Sequence, residues 1–115
     1  MSKPRGGGEG IRKMVRIFFK IIWSKEAKEQ LKEIYQHIKQ ESEQGAKTVK
    51  EAIFKSTELL ITNPQMYEVD QYKIANDGSY RAYIVFNYRI SYKITEENKV
   101  NILRIRHTSR EPRGY

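Results

Sequence analysis

The sequence predicts an α+β domain in which an antiparallel meander sheet, preceded by an N-terminal strand, carries an αα-hairpin on one face. Three observations lead there. Apolar residues recur at helical spacing from Ala27 to Leu60, the period drops to two after Pro64, and a β-branched and aromatic run precedes both. At 115 residues the chain makes one domain with a single two-layer core.

Residues 1–14 hold GGGEG among Lys and Arg and almost nothing apolar, so they are expected to form a flexible leader to a domain spanning 15–115. Val15 to Trp23 reads as a buried strand. Ser24 follows as a helix N-cap, with Glu26 in the first turn, where the helix dipole favours a carboxylate. Ala27, Leu31, Ile34, Tyr35 and Ile38 make one apolar stripe, and Gly45 is placed to end that helix. A second helix runs through Val49, Ala52, Ile53, Ser56, Leu59 and Leu60 and stops at Asn63-Pro64, because a residue before proline is pushed out of the helical region.

Beyond Pro64, Tyr67 to Ile74 reads as a weak strand and Asn76-Asp77-Gly78 as a hairpin turn. Tyr80 to Phe86 and Tyr88 to Ile94 alternate as strands joined by a tight connection at Asn87. Thr95 to Lys99 is a polar turn, and Val100 to His107 is the last strand.

Cysteine is absent, so neither disulfides nor thiolate metal ligation contributes. Two histidines, His37 and His107, give no pair at metal-ligand spacing, and neither a metal nor a cofactor is expected. No apolar run approaches the roughly 20 residues of a membrane span. A cytoplasmic protein is the expectation. The net charge of +8 is uneven: residues 1–20 and 80–115 each carry +5, while residues 21–79 carry −2. Basic ends of this kind attract polyanions or acidic protein partners.

If Tyr88, Ile90, Tyr92 and Ile94 face the helices, then Arg89, Ser91 and Lys93 face away. Ile102, Arg104 and Arg106 share one parity in the last strand, opposite to Leu103, Ile105 and His107. The expected outer face or rim therefore carries Arg81, Arg89, Lys93, Arg104 and Arg106, with Tyr83 among them. Arginine forks beside aromatic rings suit phosphates and unstacked bases. A solvated outer face with long basic side chains that blunt edge strands accounts for the same pattern. His107, just past a strand end among arginines, has the position of a general acid or base; a ring filling a gap under the tail fits that position equally.

The stretches IIWSKEAKEQLKEIYQHI, TNP, GSYRAYIVFNYRISYKI and VNILRIRHTSREP resemble the RelE/ParE superfamily of bacterial toxins, over roughly Phe19 to Pro112. RelE-like members are ribosome-dependent mRNA endonucleases, and ParE-like members poison DNA gyrase by binding it. Both are neutralised by a cognate antitoxin that wraps the toxin. The resemblance implies such an antitoxin, acidic and partly disordered, as partner in a hetero-oligomer, with ribosome-bound mRNA or gyrase as target. On the RelE pattern Arg81 and Lys73 fall where strand basic residues act, Arg110 near a tail arginine, and Tyr115 near a terminal tyrosine. The candidate catalytic set is thus Arg81, His107, Arg110, Tyr115 and Lys73. The HTSRE stretch resembles the His-x-x-Arg-acidic ending of ParE-like members. The leading expectation is a ribosome-dependent nuclease, the alternative a gyrase-binding toxin without nuclease activity, and the third a non-toxic binding module of the same fold.

Overall fold

The computed structural model describes residues 17–110 and 114–115; the leader expected over 1–14, and Val15 and Arg16 of the first strand, lie outside them. Strand β1 covers Lys20–Trp23, helix α1 Lys25–Lys39 and helix α2 Glu43–Glu58, continued by a 3₁₀ turn at Leu59–Ile61. Strands β2 (Tyr80–Val85), β3 (Tyr88–Ile94) and β4 (Lys99–His107) complete a four-stranded sheet in the order β1-β4-β3-β2. The meander β2-β3-β4 is antiparallel, as expected. β1 adds to it parallel to β4, so the whole sheet is mixed.

Ser24 does two jobs. Its Oγ accepts from Ala27 N–H at 3.0 Å and donates to Leu103 C=O at 2.9 Å, capping α1 and tying it to β4. β1 is paired only to Ile102, so the β4 edge beyond it needs other partners. Gln30 supplies one, with Oε1 accepting from Ile105 N–H at 2.6 Å. Gly45 does not end α1. The helix stops at Lys39, Ser42 caps α2, and Gly45 lies in the first turn of α2 with its N–H donating to Ser42 Oγ at 2.9 Å. The Ser-x-x-Gly spacing is a cap rather than a break.

Ala27 and Leu31 of α1, Ile53 of α2 and Leu60 pack on Tyr83, Ile90, Tyr92, Val100, Ile102 and Ile105 of the sheet. Ile102 belongs to this core although parity groups it with Arg104. A β-bulge resolves the conflict: Ser91 pairs Arg104 but Tyr92 pairs Ile102, so Leu103 is the extra residue and the faces switch there.

Tyr67 to Ile74 is not a strand. Only Val69 bridges Arg81, with Asp70 N–H donating to Tyr80 C=O and Ala82 N–H to Glu68 C=O. The segment then turns, since Asp70 Oδ1 accepts from Tyr72 N–H and Ala75 takes a positive φ of 54°. Asn76 organises the following turn: its amide donates to Asp70 and Tyr80 carbonyls, and its Oδ1 accepts from Gly78 N–H. Gly78 sits at φ 99°, a region in which side chains are strained.

Ser24→Ala removes both the cap and the link to the bulge. It should cost about 1–2 kcal/mol in denaturant unfolding, and more than Ser42→Ala, whose hydroxyl makes only the cap bond.

Candidate functional site: a basic sheet face organised by a buried carboxylate

Directly opposed residues of an antiparallel pair share a face. Tyr80 opposes Lys93, Ala82 opposes Ser91, Ile84 opposes Arg89, and on the other side Arg89 opposes Arg106 and Ser91 opposes Arg104. These residues form the sheet face turned away from the helices. That face is not simply solvated. Residues 70–74 and Tyr115 lie over it, leaving Ser91 2% exposed and Asp70 2% exposed.

Asp70 is the hub. Its Oδ1 accepts from Arg89 Nη2 at 2.9 Å and from Tyr72 N–H at 3.0 Å, and its Oδ2 accepts from the Tyr115 hydroxyl at 2.5 Å. Burial pushes the Asp70 carboxyl up, but the bonds from Tyr115, Tyr72 N–H and Arg89 and the charge of Arg89 outweigh it, so it lies below its ordinary value. Tyr115 is affected in the opposite sense: burial first, then the bond and charge of Asp70, push its phenol up to about 12. It is held as a proton donor.

Cations and rings interleave around this hub. The Arg104 guanidinium lies 3.9 Å from the centre of the Tyr115 ring, and that of Arg89 4.8 Å from Tyr72. Lys73 Nζ sits 4.6 Å from the Tyr80 ring and 5.4 Å from Tyr115, and Lys93 Nζ 5.1 Å from Tyr80. Tyr115 is also stitched by its backbone, its N–H donating to Tyr72 C=O and its C=O accepting from Ile74 N–H. Beside the hub lies a cavity of about 180 Å³ lined by Arg89, Arg104, Arg106 and Arg110, with His107 at its edge.

Lys73, Arg89, Lys93, Arg104, Arg106, Arg110 and Tyr115 therefore gather on or beside one face; His107, opposite Tyr88, has the helix-facing parity and meets this group only in the lining of the cavity. Arg81 and Tyr83 do not join them. Arg81 opposes Tyr92 and Tyr83 opposes Ile90, which puts both on the helix-facing side. Arg81 Nη1 donates to Tyr67 C=O at 2.6 Å, pinning the segment after Pro64. Tyr83 is 7% exposed, stacked on Tyr67 at 4.1 Å and hydrogen-bonded to Ser56 at 2.7 Å. Burial pushes its phenol well above the usual tyrosine range, so it is a core residue. In a strand apolar on both faces, parity did not tell which side meets the helices.

His107 opposes Tyr88 and meets its ring edge-on at 5.2 Å. Its Nδ1 accepts from Ser109 N–H at 3.0 Å, so in the neutral ring the proton resides on Nε2, which presents a donor. Reading the residues missed Asp70 and Tyr72. The signal for Asp70 was an acidic residue within an otherwise extended, tyrosine-rich stretch ahead of the basic strands. Among the described residues no three His, Asp or Glu side chains group as metal ligands, and no helix is long and apolar enough to cross a membrane.

The fold is shared with toxin–antitoxin proteins. One similar structure is of a chromosomal ParDE toxin–antitoxin system from P. aeruginosa (TM-score 0.62, 15% identity, covering 78% of this chain and 96% of that one). Another is the RelBE2 toxin–antitoxin complex from Mycobacterium tuberculosis (TM-score 0.55, 17% identity, covering 79% and 92%). No curated protein matches the chain. Residues 21–112 match the family model described as the ParE toxin of the type II toxin-antitoxin system parDE, and the chain belongs to that family.

The two titrations bracket the docked hub. Asp70, depressed from 3.8, contributes stability that is complete above that value and lost as pH falls through its lower folded value. Tyr115, raised from 10.0 to about 12, contributes stability complete below pH 10 and lost as pH rises through 12. Near-ultraviolet tyrosine dichroism should therefore stay flat between pH 4 and 10 and change outside that window. Asp70→Ala, which strands Arg89, should cost roughly 3 kcal/mol by denaturant unfolding.

Proposed function

We propose that this chain is a toxin that stops growth by binding DNA gyrase through its basic sheet face, without cleaving nucleic acid itself. One observation carries the reading: the groups a nuclease would use to take a proton are committed as donors or lie elsewhere. Tyr115 keeps its proton in a hydrogen bond donated to Asp70, and the Asp70 carboxylate is buried under three donors. His107 presents Nε2–H, and Arg81 is on the far side of the sheet. What remains is a set of forks and ammonium groups suited to holding anions rather than to moving protons. Membership of the ParE toxin family supports the same choice, as does the HTSRE ending.

A cognate antitoxin is part of this proposal. Both similar structures are described as toxin–antitoxin assemblies. An acidic antitoxin segment that orders over the basic face would neutralise the surface that the target needs.

Purified protein should inhibit gyrase supercoiling in proportion to its concentration, and Arg106→Gln should weaken inhibition without lowering the melting temperature. Intact reporter mRNA is expected by primer extension after induction without antitoxin. Discrete breaks within translated codons, with supercoiling unaffected, would establish the ribosome-dependent nuclease instead.

A further inference from the structure

The arginine cavity carries more charge than the protein itself compensates. Arg89 and Arg106 stand directly opposite one another on neighbouring strands, a like-charge pairing that costs stability unless a counter-charge is near. Asp70 compensates one of them, through a single terminal nitrogen of Arg89. Among the described residues, no other carboxylate forms an ion pair with an arginine of this face. Arg104 Nε is also buried without a hydrogen-bond partner among the described residues, as is Arg81 Nε on the helix-facing side.

The arrangement also selects the anion. Arg89 comes from β3, Arg104 and Arg106 from β4, and Arg110 from the segment beyond it, so three parts of the chain line the cavity with arginine. A carboxylate offers two oxygens in one plane, enough for one fork. A backbone phosphodiester also has two charged oxygens, but their lone pairs are not confined to one plane, so it can accept guanidinium groups from more than one side. One aromatic and one aliphatic side chain flank the cavity: Tyr72, its ring lying against the Arg89 guanidinium at 4.8 Å, and Ile84, 57% exposed. They are placed to meet a sugar or base attached to the phosphate.

We propose that this cavity is a binding site for a backbone phosphate of nucleic acid. Resting on the gyrase reading above, it would grip the DNA that the enzyme holds, so that the toxin touches protein and DNA together.

The test is fluorescence anisotropy of the full chain with a short labelled DNA duplex, repeated with single-stranded RNA and with a polyglutamate peptide. Arg106→Gln should weaken duplex binding about tenfold and lower the slope of log affinity against log salt by about 1. Arg106→Lys keeps the charge but loses the fork, and should still bind more weakly than the parent. Lys47→Gln removes the same charge from an exposed position on α2 and should change little. Equal losses in Arg106→Gln and Lys47→Gln would overturn the site, leaving only diffuse attraction. Arg106-dependent binding of polyglutamate with no nucleic-acid binding would overturn it too, and make the face a protein-carboxylate site. RNA bound in place of the duplex would uphold the phosphate site and name its source. Supercoiling inhibition that persists without duplex binding removes this site but not the gyrase reading; duplex binding without inhibition does the reverse.

Discussion

A carboxylate that is 2% exposed, on the side of the sheet away from the helices, sets the character of this protein. Asp70 would be costly to bury alone. Three donors offset that cost, and each belongs to a different part of the chain: Arg89 from β3, the Tyr72 amide from the connecting segment, and the Tyr115 hydroxyl from the far end of the sequence. The consequence is geometric. A face built of long, flexible cations acquires a fixed point, and Arg89, Tyr115 and through its ring Arg104 are held relative to it.

The two faces of the sheet divide the work. The helix-facing side stores the stability, with tyrosines that end in hydrogen bonds: Tyr92 donates to Pro64 C=O at 2.6 Å while its ring is fully buried, and Tyr83 pairs with Ser56. The outer side holds the charge. The bulge at Leu103 makes this division possible, because it turns Arg104 and Arg106 outward while keeping Ile102 and Ile105 in the core. Ser24 and Gln30 then satisfy the backbone groups left open along that edge.

Much of this was legible in the sequence, and the failures have specific causes. The Ser24 cap of α1 and the apolar stripes of both helices follow from local chemistry, and the β3 alternation of Tyr88, Ile90 and Tyr92 against Arg89, Ser91 and Lys93 reads directly as two faces. Gly45 misled because a glycine three residues after a serine serves a cap as readily as a stop. The bulge was invisible, since Ile102 and Leu103 are equally apolar and strict alternation gives no reason to insert a residue. Arg81 was set on the wrong side because β2 is apolar on both faces, and its guanidinium answers to a carbonyl fourteen residues earlier. Asp70 could not be valued without its partners, which lie 2, 19 and 45 residues away.

Toxin-family membership, a basic outer face and a phenol locked as a donor are the features behind the proposal that this protein grips an anionic target rather than moving protons on it. That account depends on Asp70 and Tyr115 acting as one unit. A double-mutant cycle of Asp70→Asn and Tyr115→Phe, read by denaturant unfolding, measures this most directly. The account predicts a coupling of about 1 kcal/mol or more, the scale of a hydrogen bond to a charged group. Strictly additive losses would mean that Tyr115 does not engage the carboxylate in solution, and the organised face would lose its fixed point.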